Sequence, residues 1–376
     1  MTNTTLEKWE EKTLGEILDK GSSNLSANKL NDCVGIYPVY GASGLIAKVN
    51  FYQQDKEYLA IIKDGAGVGK VYHYQPKTSV LGTLQYLYPK PNTNIRFAYY
   101  YLQSIDFAKY YQGAAIPHIY YRDYKSEKLV LPPLPEQERI VAKLDKAFEA
   151  IDKVKANAEQ NLNNAKELFE SALNNVFTKN TDGWEEKKLD DVCTYKSGTT
   201  ISKDLEKDTG DLLYIKVGDM NIRGNEELIT TSTRFASSAE ISAAQIIPTG
   251  SVIFPKRGGA IATNKKRKII KPTIVDLNTM AIIPNKELDS NFFYYWFGQI
   301  NLIDISNGTT IPQINNYSFQ NLRIKYPTLL EQQKIVEQLD KIQEKTKKLE
   351  AIYTQKIKEC DELKQSILQK AFRGEL

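Results

Sequence analysis

Part of this chain repeats at a fixed distance along its own sequence. The segment LPPLPEQERIVAKLD at residues 131–145 returns as KYPTLLEQQKIVEQLD at residues 325–340, with matched positions such as Gln137 and Gln332 lying 195 residues apart. Three further blocks repeat in the same order: YYYL (99–102) and YYWF (294–297), GAAIPHI (113–119) and GTTIPQI (308–314), and WEEK (9–12 and 184–187). The last pair lies only 175 residues apart. A tandem duplication explains this order, with about 20 additional residues in the second copy.

Each copy therefore consists of a globular segment followed by a long helix. We assign residues 1–135 to a first globular domain, 136–180 to a first long helix, 181–330 to a second globular domain and 331–376 to a second long helix. Between the matched ends, the two copies look unrelated. Selection for one framework with a different ligand in each copy would leave this pattern, and divergence without selection is the alternative.

The two long helices carry the spacing of a coiled coil. Residues 136–177 contain no Gly and no Pro, and apolar or small residues recur at alternating intervals of four and three. The second copy repeats the pattern 195 residues later. A duplicated unit that pairs with itself does so about a pseudo-two-fold axis, so we expect two antiparallel helices of roughly 60 Å. The predicted seam residues are Ile140, Leu144, Ile151, Val154, Asn161, Leu168, Ile335, Leu339, Ile342, Leu349, Lys356, Leu363 and Ile367.

Two polar residues interrupt the predicted seam at matching positions. Asn161 and Lys356 stand where the spacing calls for apolar side chains. A polar seam residue can fix the register of a coiled coil at a cost in stability. Alternatively, both side chains face solvent.

The globular segments have the composition of packed, mixed domains. Hydrophobic residues make up 41% and charged residues 26%, which excludes wholesale disorder. Runs of β-branched and aromatic residues predict strands at 58–63, 70–74, 84–88, 212–217, 251–254, 268–275 and 279–283, and helices are expected at 95–105 and 291–300. The predicted fold class is α/β in the broad sense, of the α+β kind. Two mixed domains are joined by an antiparallel two-helix coiled coil in a pseudo-two-fold tandem repeat.

Few residues are suited to catalysis or metal binding. The three cysteines include Cys33 and form no CxxC, and the only histidines are His73 and His118. The segment DGAGVGKV (64–71) is close to a phosphate-binding loop, but Asp64 replaces the first Gly and Val71 the Ser or Thr. No GxSxG or HExxH motif is present. We therefore expect a chain that is not an enzyme and that holds no metal.

Two further features concern location and partners. No apolar run approaches the ~18 residues of a membrane span, and the N-terminus lacks a signal-peptide core, so we expect a cytoplasmic protein without a membrane partner.

Residues 1–135 hold 15 Lys and Arg against 12 Asp and Glu, and residues 178–330 hold 19 against 17. Basic residues flank a Gly-rich loop at 256–268, which suits phosphate contact, although a solvated hairpin tip is the alternative.

The ordered set of repeated motifs resembles the specificity subunits of type I restriction–modification systems. The residues that carry this resemblance are the two Pro-x-x-x-Glu-Gln-x-x-Ile-Val blocks, the Gly-x-x-Ile-Pro-x-Ile turns, the Trp-Glu-x-x-x-Leu openings, YPVYGASG (37–44), SGTT (197–200) and the ending AFRGEL (371–376). The resemblance covers essentially the whole chain.

The resemblance implies a non-catalytic subunit whose two globular domains are target-recognition domains. Each domain would read one half of a split double-stranded DNA target, and the helices would set the unread spacer. Two methyltransferase subunits would be partners, and two motor-nuclease subunits can join them. S-adenosylmethionine, ATP and Mg would then be bound by those partners and not by this chain. The candidate DNA-binding residues are Tyr40, Ser43, Lys63, Lys70, Tyr72, His73, Ser197, Thr199, Thr200, Lys256, Arg257, Lys265, Lys266, Arg267 and Lys268.

Three alternatives stay open at this stage. The chain could be a protein–protein adaptor with two heads on a coiled-coil spacer, which a gel shift with random duplexes would distinguish. It could serve a methylation-only or type II-like system. It could also be a self-contained methyltransferase or nuclease with degenerate motifs, which S-adenosylmethionine binding by the isolated chain would support.

Overall fold

A computed structural model describes residues 9–30, 34–113, 116–179, 181–308 and 311–376, so Cys33 lies outside the described residues. The chain divides into two compact units. The first combines residues 1–160 with 353–376, and the second is residues 161–352. Each unit thus contains one globular domain together with parts of both long helices.

The first unit contains nine strands, four α-helices and two short 3-10 helices (Ala27–Lys29 and Phe107–Tyr110) among its described residues, together with the end of a later long helix. The strands are β1 (Glu10–Thr13), β2 (Leu18–Ser22), β3 (Tyr37–Gly41), β4 (Gly44–Val49), β5 (Tyr58–Ile62), β6 (Val71–Tyr74), β7 (Ser79–Val80), β8 (Leu84–Pro89) and β9 (Lys128–Leu131). The helices are α1 (Leu14–Ile17), α2 (Ile95–Ser104), α3 (Tyr121–Tyr124) and α4 (Leu134–Asn174), the last of which continues into the second unit.

Three sheets build this unit, which has a main hydrophobic core and a smaller cluster of Leu30, Val39 and Val49. An antiparallel sheet has the order β2-β8-β5-β6, and a second has the order β4-β3-β7, with β3 and β7 parallel. The WEEK segment forms β1, which pairs with β9 just before the long helix. Every residue of β5 is buried because sheet neighbours flank it on both sides and α2 packs near it.

The second unit has a π-helical turn at Asn175–Lys179 and then repeats this plan. Its strands are β10 (Glu185–Lys188), β11 (Cys193–Ser197), β12 (Leu212–Ile215), β13 (Leu228–Ile229), β14 (Phe235–Ala236), β15 (Val252–Pro255), β16 (Arg267–Ile269), β17 (Thr273–Val275), β18 (Thr279–Pro284) and β19 (Arg323–Tyr326). Its helices are α5 (Leu189–Val192), α6 (Ser290–Gly298) and α7 (Leu329–Phe372), whose end belongs to the first unit.

The two units share their sheet topology, including the part in which their sequences look unrelated. The order β11-β18-β15-β16 reproduces β2-β8-β5-β6, and β14-β12-β17 reproduces β4-β3-β7 with the same parallel pair. The strand β13, which lies beside β16, has no counterpart among the described residues of the first unit. The duplication therefore extends through the whole domain, and the expectation of unrelated middles is corrected at the level of structure.

Most predicted elements of the domains are present. The strands predicted at 58–63, 70–74 and 84–88 correspond to β5, β6 and β8, and the helices predicted at 95–105 and 291–300 correspond to α2 and α6. The single strand predicted at 268–275 is wrong. It is two strands, β16 and β17, which belong to different sheets and are separated by Ile270, Lys271 and Pro272.

The long helices run antiparallel, as predicted. In the first unit, Lys155 of α4 pairs with Asp361 of α7 at 2.6 Å, and Asp152 pairs with Lys364. The residue number rises along one helix as it falls along the other, which is the antiparallel arrangement.

Eight of the thirteen predicted seam residues are buried or partly buried, and the seam is displaced by one residue at the other five. Ile140, Leu144, Ile151 and Leu339 are at most 8% exposed, and Ile335, Ile342, Leu349 and Ile367 are partly buried. Val154, Leu168 and Leu363 are 43%, 53% and 50% exposed, and Asn161 and Lys356 are also exposed. The residue that follows each of these five is less exposed and takes the place on the seam, namely Lys155, Leu162, Phe169, Ile357 and Lys364. The register role of Asn161 and Lys356 is therefore wrong, because neither side chain is enclosed between the helices.

Candidate nucleic-acid interface

In the second unit, several candidate residues meet at one end of the five-stranded sheet, where the strands β11 and β15 terminate. Ser197 at the end of β11 lies opposite Met280, and Pro255 at the end of β15 lies opposite Thr279. Strand β16 begins at the same end of the sheet, with Arg267 opposite Ile253. The segments 197–200 and 256–266 therefore both leave the sheet at this end.

Main-chain hydrogen bonds hold these segments together around the turn at 276–279. Thr199 N donates to Val275 O at 3.1 Å, and Lys256 N donates to Asn278 O at 2.8 Å. Gly198 is required at its position, since a Cβ there would overlap the main-chain oxygen of Asp276. The SGTT motif thus places the exposed residues Ser197, Thr199 and Thr200 beside the Lys256 loop; Gln245 Nε2 donates to the Thr199 hydroxyl at 2.9 Å.

The corresponding end of the main sheet in the first unit carries the glycine-rich loop 63–70, which joins β5 to β6. Gly65, Gly67 and Gly69 all have φ between 86° and 89°, a conformation that L side chains rarely adopt. A Cβ on Gly69 would also lie 2.7 Å from the Cβ of Phe107. The glycines therefore serve a tight turn of the main chain.

The two Ile-Pro turns have the same structural role in both units. In the first unit, Gly65 N donates to Pro117 O at 3.0 Å and Ile119 N donates to Lys63 O at 2.9 Å. In the second unit, Gly258 N donates to Pro312 O and Ile314 N donates to Lys256 O, both at 2.9 Å. Each turn thereby fixes the loop that follows the central strand. Residues 114–115 and 309–310 of the turns lie outside the described residues.

Strand pairing makes several candidate residues of the two units equivalent. His73 lies opposite Leu59 of β5, and Lys268 lies opposite Val252 of β15. Since Leu59 and Val252 pair with β8 and β18 residues that are themselves 195 apart, Leu87 and Ile282, His73 and Lys268 occupy the same place. The segment Lys70–His73 of the first unit therefore corresponds to Lys265–Lys268 of the second.

A stack of tyrosines lies beside this strand in the first unit. The rings of Tyr40 and Tyr74 are stacked with their centroids 4.3 Å apart, and Tyr72 stacks on Tyr74 at 5.8 Å. Burial raises the pKa of Tyr74. Tyr40 belongs to the hairpin of β3 and β4, whose exposed tip holds Ser43. The stack joins two of the three sheets of this unit, since Tyr40 lies on β3 and Tyr72 and Tyr74 lie on β6.

The charged candidates of the first unit differ in how freely they present their charge. Lys70 is exposed, whereas the Lys63 ammonium contacts the carboxylate of Asp64. His73 has a side chain only 13% exposed, with Nε2 2.9 Å from a carboxylate oxygen of Glu57. Lys70 is therefore the freest of these three for a phosphate contact.

Lys266 is structural, and we remove it from the candidate DNA contacts. The residue is 5% exposed, and its ammonium donates to Ile300 O at 2.6 Å and to Asn264 Oδ1 at 2.9 Å. It also lies 5.4 Å from the centroid of the Phe297 ring. Burial lowers the pKa of Lys266 to about 8. Its donors are used within the domain, so it cannot contact a phosphate.

The neighbours of Lys266 are also engaged within the unit. Lys265 contacts Asn221, Lys268 contacts Asn291, and Arg267 Nη2 donates to Met220 O at 3.1 Å. Burial lowers the pKa of Lys268. Lys256 is half-buried, and burial followed by the nearby Arg257 charge lowers its pKa. Arg257 is exposed and remains the freest cation of this group.

In each unit, one buried glutamine connects the domain to the long helix that follows it, and sequence reasoning missed this role. Gln137 and Gln332 are both 0% exposed. Gln137 Oε1 accepts from Asn94 N at 2.8 Å, while its Nε2 donates to Asn92 O and Pro132 O. Gln332 repeats all three bonds with Asp289 N, Glu287 O and Pro327 O. The signal was the Glu-Gln pair repeated 195 residues apart.

A second repeated contact was also missed. The Tyr100 hydroxyl donates to a carboxylate oxygen of Asp145, which also contacts Arg96. In the second unit, the Tyr295 hydroxyl donates to Asp340 at 2.5 Å. Each contact joins the domain helix, α2 or α6, to the long helix that follows it. The matched block at 99–102 and 294–297 contains both tyrosines.

Neither a metal site nor a membrane-spanning helix is found in the parts of the chain that the structure describes. No group of three or more His, Cys, Asp or Glu side chains there could hold a metal ion. Over the same residues, no helix is both long enough and apolar enough to cross a membrane.

Comparison with known proteins identifies the family. The family model described as the type I restriction modification DNA specificity domain matches residues 6–164 and 181–359. A curated relative from Escherichia coli, the type I restriction enzyme EcoDI specificity subunit, is 23% identical over 98% of this chain and 88% of its own length. The HsdS subunit from Thermoanaerobacter tengcongensis has the same fold, with a TM-score of 0.55 and 19% identity over 98% of this chain and 97% of its own. A chain from a study of complex assembly and conformational transition of the type I R-M system aligns with a TM-score of 0.76 and 19% identity over 98% of both chains. This chain belongs to the type I restriction–modification DNA specificity family, as a DNA-recognition subunit and not as an enzyme.

Proposed function

We propose that each unit reads one half of a bipartite, asymmetric DNA target. The observation that carries this proposal is the equivalence of the two main sheets. Each unit presents loops at the same end of its main sheet, and the residues on the loops differ between the units. In the first unit the loop residues include Lys70, with Ser43 at the tip of the β3–β4 hairpin of the smaller sheet, and in the second they include Ser197, Thr200 and Arg257. One framework with two different sets of exposed residues is suited to two different half-sites.

The proposed DNA contacts of these loops are of two physical kinds. Lys70 and Arg257 are cations that can neutralise phosphates, a contact that contributes affinity without sequence preference. Ser43, Ser197 and Thr200 offer hydroxyl groups, which can pair with base edges in the major groove. The glycine-rich loops allow the main chain to approach the duplex closely.

The other proposed contacts are with protein subunits. We propose that two methyltransferase subunits assemble on this chain and that two motor-nuclease subunits join them in complexes that cleave DNA. The catalytic cofactors S-adenosylmethionine, ATP and Mg would be held by those partners. The family membership and the names of the relatives support this proposal.

Methylation mapping tests the proposal. The chain is co-expressed with a methyltransferase subunit from the same source, and methylated adenines are mapped across the host genome. The expected target has two different specified halves separated by unread bases. A continuous or perfectly palindromic target would contradict the proposal.

Two variants assign the halves. Thr200→Ala should relax recognition of one half only, and Ser43→Ala should relax recognition of the other, because each removes a hydroxyl proposed to contact a base edge. Equal effects of both variants on both halves would argue against one half-site per unit.

A further inference from the structure

The second unit covers the outer side of strand β16 in its main sheet, whereas no described residue of the first unit pairs with the outer side of the matching strand. Strand β13 lies parallel to β16, and Lys268 N donates to Glu227 O at 2.8 Å. The Glu227 carboxylate also accepts from Gln343 Nε2 at 3.0 Å and from Lys347 Nζ at 2.7 Å, both on α7. The segment 227–229 is thus held by the sheet on one side and by the long helix on the other.

Strand β6 of the first unit occupies the place of β16 but is the edge of its sheet. Ile62 N donates to Lys70 O at 2.9 Å, so the main chain of Lys70 faces β5. Because the direction of the main-chain groups alternates along a strand, those of Val71 and His73 face away from β5. His73 N has the position from which Lys268 N donates to Glu227 O. Such an edge is a template for an additional strand.

A groove of about 1040 Å³ lies along this edge. It is lined by β6, α2, α4 and the end of α7, all within the first unit. Phe148 and Asp152 on α4 stand where the second unit has Gln343 and Lys347, each pair being 195 residues apart. Asp152 is paired with Lys364, whose ammonium lies 5.2 Å from the centroid of the Phe148 ring. Among the described residues, nothing in the first unit therefore fills the place that Glu227 fills in the second, and the side chains around that place differ.

The charge of the groove favours a peptide over a nucleic acid. The charged side chains that line it are three cations and two carboxylates, namely Lys70, Arg96, Lys364, Asp106 and Asp152. Arg96 is already paired with Asp145, and Lys364 with Asp152. A nearly balanced wall gives little attraction for a phosphate backbone, which requires several unpaired cations.

We propose that an extended segment of a partner protein binds in this groove as a strand parallel to β6. One of its carbonyl groups accepts from His73 N, as Glu227 O does from Lys268 N. The residue that contributes this carbonyl is uncharged or basic, because Asp152 replaces Lys347. Two residues later the segment carries an apolar side chain beside Tyr74, since the buried Ile229 lies opposite Ile269 at the matching place. The inference rests on the proposed function, in that the partner is the methyltransferase subunit.

Hydrogen exchange of the full chain tests this inference. Exchange of the amides in residues 71–75 is measured for the chain alone, with the purified methyltransferase subunit, and with a duplex carrying the mapped target. We expect the amides of Val71 and His73 to exchange at least tenfold more slowly in the protein complex. Protection by the duplex alone would overturn the inference in favour of a DNA contact. Assembly of the complex with unchanged exchange at 71–75 would overturn it and leave the proposed function intact.

A pair of proline variants provides a second measurement. His73→Pro removes the outward donor from β6 and leaves the ladder with β5 in place. The matched control is Lys20→Pro on β2, the opposite edge of the same sheet, where the main chain also faces outward because Lys90 N pairs with Ile17 O. We expect His73→Pro to weaken binding of the methyltransferase subunit at least tenfold and Lys20→Pro to change it less than twofold. Equal effects of both variants would overturn the inference. If the parent chain fails to bind that subunit, the proposed function fails, and the inference with it.

Discussion

The buried glutamine at the start of each long helix is a precise test of how the domains are held to the helices. In the second unit, Gln332→Ala removes three hydrogen bonds. They are Asp289 N to Oε1 at 2.7 Å, and Nε2 to Glu287 O and to Pro327 O, both at 2.9 Å. The Asp289 amide immediately precedes α6, so the bond ties the beginning of that helix to α7. The matched control is Gln333→Ala, at the exposed neighbouring position of the same helix.

The expected cost follows from the groups that remain. A buried donor or acceptor without a partner costs about 1–3 kcal/mol. Three groups lose their partner, but a carbonyl oxygen has two lone pairs and water can enter the space left by the side chain. We therefore expect Gln332→Ala to lower the free energy of unfolding of the second unit by about 2–4 kcal/mol. Gln332→Glu should destabilise at least as much, because it places an acceptor against two carbonyl oxygens.

Thermal unfolding of the full chain provides the measurement. For a unit of this size, each kcal/mol shifts the Tm by about 2–4 °C, so the transition of the second unit should fall by about 5–15 °C. Gln333→Ala should leave it within about 2 °C, since exposed substitutions usually change stability by less than 0.5 kcal/mol. Equal Tm values for the Gln332 and Gln333 variants would refute the reasoning that this side chain joins domain and helix.

Three further predictions concern the helices, the basic segment and the DNA contact. Leu144→Ala should cost about 2–5 kcal/mol in urea unfolding, whereas Val154→Ala should cost less than about 1 kcal/mol; similar costs would contradict the observed seam. The pKa of Lys266 in the folded chain, about 8, lies below its ordinary value, so the unfolded state binds more protons between pH 8 and 10.5. Parental stability should therefore rise through this interval relative to Lys266→Met, and a constant difference would show that Lys266 is not buried. Finally, Lys70→Ala and Arg257→Ala should each reduce the slope of log affinity against log salt by about 0.9, which fluorescence anisotropy at several salt concentrations would check.

The sequence predicted the duplicated ends of each unit because specific side chains hold them. The Glu-Gln pair and the Tyr-rich helix recur since Gln137 and Tyr100 each make a side-chain contact that few other residues could make. The Ile-Pro turn contributes main-chain bonds, such as the one from Gly65 N to Pro117 O. The middle of each unit could not be matched in this way. Leu59 and Val252 hold the same place in the two main sheets, and many apolar residues of similar size would satisfy such a position. Only strand pairing shows that the middle is shared as well.

The seam of the long helices shows a different limit of sequence reasoning. Spacings of four and three fit the stripe through Val154 as well as the stripe through Lys155, and apolarity favoured Val154. In the structure Lys155 lies on the seam, where its stem can cover apolar surface while its ammonium reaches Asp361. Antiparallel pairing places such an acidic partner across the seam, and this depends on the fold and not on the spacing.

The basic segment at 265–268 illustrates why charge alone does not locate a binding surface. Four consecutive cations suggest a phosphate contact, yet the Lys266 ammonium is buried against the carbonyl that follows α6. The equivalent residue in the first unit is Val71, which is also buried. Burial at this position is therefore a property of the shared framework, and the lysine satisfies it by finding internal acceptors. Residues that read different DNA in the two units are better sought at positions that are exposed in both, such as the loops at the end of each main sheet.

The unequal treatment of the two sheet edges has a consequence for the evolution of binding in a duplicated chain. Both copies inherited a strand, β6 or β16, whose outer side needs a partner. In the second copy the chain covers that side with its own residues 227–229, which Lys347 and Gln343 hold. The first copy has Asp152 and Phe148 at those two positions and cannot hold the same acidic segment. If the open edge were only a relic, Asp152→Lys with Phe148→Gln would leave assembly unchanged. If it binds a partner strand, the double variant should weaken the methyltransferase complex while the chain stays folded, which size-exclusion chromatography with light scattering and circular dichroism would distinguish.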